Sequence, residues 1–227
     1  MRLLALLALG LTACSTVIRN DSSADGWQDD FATRLKAQAL LQTFNADLLS
    51  HPSATLTLER WCGLHRLASA AHITAHLLRD VEKTPTTEQR RELKVDNNEP
   101  IKYRRVQLFC GEHILSEADN WYVPARLTAA MNRQLEQTDT PFGRAVKELN
   151  FRRETISANV LWSVLPEGWE MQPTPTGKHA QLDIPQHVLE HRAILYTQGN
   201  LPFSEVVETY TREIFSFPLT PPTNRAR

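Results

Sequence analysis

Thr140-Pro141-Phe142-Gly143-Arg144 is a run whose order could hold an anion. Thr at a helix N-cap with Pro at the first helical position is a strong start signal, because proline lacks only an N–H that had no intrahelical acceptor. The N–H groups of Phe142 and Gly143 would then point out of the helix start, where a carboxylate is favoured. Other chemistry-bearing groups read more plainly. His72 and His76 lie in an alternating run, so they share a strand face without a third ligand at metal spacing, and no metal is expected. Of Arg152 and Arg153, adjacent on an extended segment, only one can face a given site. Trp121-Tyr122 reads as core, because it continues a strand into the turn at Pro124.

The N-terminus carries a different chemistry. Met1 and Arg2 form a positive start, Leu3 to Gly10 an apolar run, and Leu11-Thr12-Ala13-Cys14 ends it with small residues before a thiol, as in a signal peptide. The pattern resembles the lipobox of bacterial lipoproteins. That resemblance implies removal of residues 1–13 and acylation of Cys14, with Ser15 in the next position favouring the outer membrane and a periplasmic face. The apolar run is far shorter than the roughly 20 residues that span a bilayer. Membrane contact is therefore expected through the Cys14 lipid only. Residues 14–26, rich in Ser, Asp and Asn, suit a tether, and residues 218–227 a frayed tail.

Residues 27–217 are about the size of one domain. With 25 basic against 26 acidic residues and no basic stripe, the chain is not built for nucleic acid. Once Cys14 is acylated, Cys62 and Cys110 are the other cysteines. They either pair, which needs Cα atoms within about 7 Å, or stay as two buried thiols.

Apolar spacing predicts a helix over Asp30 to Leu49 and another starting near Ser53. Strands are expected over His72 to Leu77, Ile101 to Cys110, Ile114 to Val123, Thr155 to Val164, Val188 to Thr197 and Phe203 to Thr211. A helix over Thr128 to Glu136 interrupts them, and residues 96–100 and 173–186 read as loops. Tight joins at Gly111-Glu112 and Gln198-Gly199-Asn200 imply antiparallel pairing, hence an α+β domain with a six-stranded antiparallel sheet.

Arg105 to Cys110, the run to Tyr122-Val123-Pro124, and above all Thr140 to Arg144 resemble bacterial chorismate lyase and, more loosely, the UTRA ligand-binding domains of transcription regulators. Ser53, Thr55, Leu58 and Glu59 fit the family's early S-x-T-x-x-[FL]-E pattern, and Val206 to Tyr210 its closing strand. The resemblance spans roughly Ser53 to Ile214. It implies helices on one side of the sheet and helical flaps, here Arg126 to Glu148, over a buried pocket. It also implies a small aromatic or cyclohexadienyl carboxylate as ligand, with elimination of pyruvate from chorismate, leaving 4-hydroxybenzoate without metal or organic cofactor, as the reaction of a catalytic member.

The family's arginine falls on Arg105, which parity places with Ile101, Tyr103, Gln107 and Phe109. A guanidinium there takes either a ligand carboxylate or an internal partner such as Glu208. The family's backbone-amide contact falls on Phe142, beside Gly143. Its pocket glutamate, a candidate acid, falls on Glu208, with Glu205 competing if the strand slips by one residue. Two positions depart from the family: a second arginine becomes Asn120, and a methionine at the product site becomes Ala54. Asn120 can hydrogen-bond but cannot neutralise a carboxylate.

Overall fold

The computed structural model describes residues 27–173, 177 and 179–217; Cys14, its signal sequence and the tail lie outside them. The chain runs through α1 (Phe31–Ser50), α2 (Ala54–His65), β1 (Ile73–Leu77), α3 (Thr87–Glu92), β2 (Lys102–Cys110), β3 (His113–Tyr122), α4 (Ala129–Gln137), α5 (Phe142–Ala145), β4 (Arg152–Val160), β5 (His187–Tyr196) and β6 (Pro202–Thr211). The six strands form one sheet in the order β1-β2-β3-β6-β5-β4, antiparallel at every pairing. This is the α+β class the strand pattern predicts. Among the described residues, no helix is long and apolar enough to cross a membrane.

Local chemistry sets the elements that matter for the site. Asp30 caps α1, its side chain accepting from Thr33 N–H at 2.7 Å, and the helix buries Ala37, Leu41, Phe44 and Leu48. Phe44 packs on Trp61 of α2 and edge-on to Tyr210 of β6, so both long helices lie on one face of the sheet. Trp61 Nε1 donates to the Ile214 carbonyl at 2.8 Å, and Trp27 Nε1 to that of Phe215 at 3.1 Å. A disulfide joins Cys62 of α2 to Cys110 at the end of β2, Cα to Cα 6.1 Å, which resolves the open question of two thiols or one bridge.

Three differences from the sequence reading bear on the site. Strand β4 begins at Arg152, three residues before the expected Thr155. Helix α3 was not expected, yet Thr86 and Gln89 form a capping box that starts it. It packs on the far face, where Gln89 Nε2 donates to Glu205 at 3.2 Å, so the helices are not confined to one side of the sheet.

Candidate functional site

Alternation along the strands decides which side chains meet under the helices. On β6, Ser204, Val206, Glu208 and Tyr210 share a face, whereas Glu205 and Val207 point the other way. The register places Ala118 opposite Glu208 and opposite Val106, and Asn120 opposite Val206 and Arg104. Directly paired residues face the same side of a sheet, so these belong to the helix-covered face. Leu195 stands opposite both Ser204 and Arg153, which brings Arg153 to that face too.

The result is a buried niche. Its floor carries Val106, Asn120, Glu208 and Arg153; Ser53, Ala54 and Thr55 at the start of α2, with Phe142, Gly143 and Phe151, close it. Arg153 Nη2 lies 2.7 Å from Glu208 Oε2, with side chains 5% and 9% exposed. Tyr210 OH donates to the same carboxylate oxygen at 3.2 Å. Arg153 Nε has no hydrogen-bond partner among the described residues. Burial opposes the Arg153 charge, but the facing Glu208 outweighs it and holds the guanidinium's pKa above its ordinary value. Burial, reinforced by Glu208, raises the Tyr210 hydroxyl well above the usual phenol range, so it stays a donor. Asn120 Oδ1 accepts from Ser204 at 2.6 Å, which leaves its amide donors for the niche.

The α2 N-terminus adds direction. The twelve-residue helix is capped by Ser53, whose side chain accepts from Leu56 N–H at 3.4 Å. The N–H groups of its first residues have no intrahelical acceptor, and the helix dipole favours negative charge there. Gly143 sits against this turn so closely that a Cβ would come within 3.0 Å of Ser53 Oγ and 3.4 Å of Thr55 Oγ1.

The niche holds about 30 Å³, the space of a water molecule. It shares Ser53, Thr55, Gly143 and Phe151 with an outer cleft of about 590 Å³, whose mouth carries Glu59, Arg144 and Lys147. A volume of that order is typical of small-molecule sites. Arg144 of α5 pairs with Glu59 of α2 across the mouth, and His72 Nε2 lies 3.2 Å from Arg144 Nη1.

The structure brings Ala54, Asn120, Phe142, Gly143 and Glu208 together around this niche and does not bring Arg105 there. Arg105 lies on the opposite face, 3.4 Å from Glu117 and 3.6 Å from Asp119, in a network that also takes the Tyr103 hydroxyl and Lys83. Its internal partner is therefore not Glu208, and the niche cation is Arg153. Arg152, by contrast, stacks 4.4 Å over the Tyr196 ring and pairs with Glu154 in solvent. Glu205 is also excluded, because it faces away and accepts from Arg192 Nε at 2.9 Å. The expected helix start shifts by one residue: Pro141, not Thr140, is the N-cap, and α5 is a single four-residue turn. Phe142 contributes a buried ring near Tyr122 and Phe203 rather than the start of a long dipole.

No protein-family model matches this sequence. The chain is 51% identical over 199 residues to the uncharacterized protein y4mC of Sinorhizobium fredii (strain NBRC 101917 / NGR234), a match covering 87% of this chain and 84% of that one. Solved structures with a similar arrangement include the effector domain of PhnF from Mycobacterium smegmatis, with a TM-score of 0.46, 11% identity, and 71% and 90% of the two chains covered. The possible transcriptional regulator YydK from Bacillus subtilis gives a TM-score of 0.39 at 16% identity over 66% of this chain, which spans 62% of YydK's length. By its sequence, the chain belongs to the family of y4mC.

Proposed function

We propose that this chain is a tethered binding protein for a small carboxylate, held in the niche between Arg153 and the start of α2 and extending into the outer cleft. The observation that carries the reading is Arg153 itself: a buried guanidinium with a bare Nε in a cavity whose roof is a helix N-terminus. A buried donor without an acceptor costs about 1 to 3 kcal/mol, and a ligand carboxylate relieves it with a charge-assisted bond. The resemblance to UTRA domains and chorismate lyase supports the same reading. Export is supported by the Cys62–Cys110 bridge, since disulfides persist in oxidising compartments, and by the lipobox-like start at Leu11 to Cys14.

Elimination of pyruvate from chorismate is the catalytic form of this reading. Its support is Glu208, a buried carboxyl beside the niche cation. Against it, Glu208 already serves Arg153 and Tyr210, and the position of the family's second arginine is Asn120.

Calorimetry with 4-hydroxybenzoate and a pyruvate assay with chorismate separate the two. Binding without turnover fits the receptor. Arg153→Gln should weaken binding by about 2 to 4 kcal/mol, whereas Arg105→Ala should leave it unchanged. If aromatic carboxylates fail to bind at millimolar concentration, the reading is wrong.

A further inference from the structure

We propose that a second cleft, between the segment that follows β1, the start of β2 and the end of α4, binds a doubly charged oxyanion such as phosphate or a phosphate monoester. None of the residues that line it lines the Arg153 niche, so the two are distinct. It encloses about 360 Å³ and presents four cations, Arg79, Lys102, Arg104 and Arg105, against two carboxylates, Glu82 and Glu136.

Two of the cations are already neutralised. Lys102 pairs with Glu136, and Arg105 with Glu117 and Asp119. The other two hold main-chain oxygens instead. Arg79 Nη1 donates to the Glu136 carbonyl at 3.1 Å; Arg104 donates through Nε to that of Leu135 at 3.0 Å and through Nη2 to that of Thr140 at 2.8 Å. Neither is within ion-pair distance of a carboxylate among the described residues. Arg104 is 3% exposed, and its Nη1 has no partner among the described residues.

A buried guanidinium needs a counter-charge, and Arg104 has no carboxylate at ion-pair distance among the described residues. Burial first, and Arg79 with it, depress the Arg104 pKa to about 10 against the pull of Tyr122 and Asp139. A dianion beside Arg79 would bond that exposed planar fork, which suits phosphate better than an ammonium group does, and would lie near enough to Arg104 to offset its charge as well. A monoanion would leave one charge uncompensated.

The test is calorimetric titration of the purified full-length chain with inorganic phosphate at low ionic strength. Saturable binding that weakens with added salt is expected. Arg79 is exposed, so Arg79→Gln should keep the fold, checked by circular dichroism, while weakening phosphate by about tenfold or more. Saturating 4-hydroxybenzoate, which belongs in the niche, should leave phosphate affinity unchanged. The proposal is overturned if phosphate does not bind at millimolar concentration, if Arg79→Gln binds as the wild type does, or if 4-hydroxybenzoate displaces phosphate.

Discussion

Arg153 and Glu208 sit on strands that do not touch: β4 and β6 flank β5, and the guanidinium reaches over β5 to within 2.7 Å of the carboxylate. The pair spans three strands and forms the charged floor of the niche. Its two members are buried together, so each is the other's replacement for water.

Removing one partner should therefore hurt more than removing both. Arg153→Met leaves the Glu208 carboxylate uncompensated in the interior and should cost about 3 to 5 kcal/mol of stability, as breaking buried pairs does. Adding Glu208→Leu should recover much of that loss. Urea unfolding of the two single variants and the double variant checks this, and strictly additive losses would show that the groups do not interact.

The sheet was legible because each strand carries its own apolar face and each tight join its own turn residues. The face that holds the site was harder to read. On β2 the two parities are Arg104, Val106, Leu108 and Cys110 against Tyr103, Arg105, Gln107 and Phe109, both part apolar because helices or side-chain networks cover both sides. Period two sorts residues into faces but does not say which face lies under α2, so it cannot tell whether Arg105, where the resemblance places the family's arginine, or one of Arg152 and Arg153 reaches the niche. The strand start at Arg152 compounded this, since polar Arg152, Arg153 and Glu154 mask the onset of β4. Parity within β4 could have singled out one arginine, but only tertiary packing tells which. Helix α3 did leave a signal, the Thr86/Gln89 capping box, in a segment too polar to show helical periodicity.

His191 should make the fold acid-sensitive. Its ring is fully buried edge-on to Tyr210; Nε2 lies 2.8 Å from Asn45 Oδ1, and Nδ1 has no partner among the described residues. Burial pushes its pKa from 6.5 down to about 4, against the pull of Glu208. The unfolded chain therefore binds a proton below about pH 6.5 that the native state refuses until about pH 4. Stability from this group is complete above the upper value and falls as pH drops through the window, by up to about 1.4 kcal/mol per pH unit. Urea midpoints for wild type and His191→Gln across this range test it; an equally steep decline in the variant would remove His191 as the cause.

The Cys62–Cys110 bridge ties the helix that roofs the niche to the strand that floors it. The sequence separation of 48 residues sets the loop it closes in the unfolded chain. On the chain-entropy model such a loop contributes about 4 kcal/mol. Thiol titration of the unfolded, non-reduced protein should find neither cysteine free, and reduction should lower the urea midpoint and weaken carboxylate binding together. A midpoint that falls while carboxylate binding is unchanged would confine the bridge's role to constraining the unfolded chain, and no change in the midpoint would refute the stabilisation.

Lipid attachment at Cys14 is the remaining expectation, and it concerns residues outside the described ones. Leu11-Thr12-Ala13-Cys14 follows a short apolar run, too short to span a bilayer and suited to cleavage before the thiol. The chain should take up labelled fatty acid when expressed in a bacterial host and should sediment with membranes. Cys14→Ser should abolish the label and leave carboxylate affinity intact, because the niche lies wholly within residues 52–208. A labelled Cys14→Ser variant would place the lipid elsewhere, and wild-type protein recovered unlabelled from the cytosol would end the tethered reading while leaving the binding site to be judged by its own test.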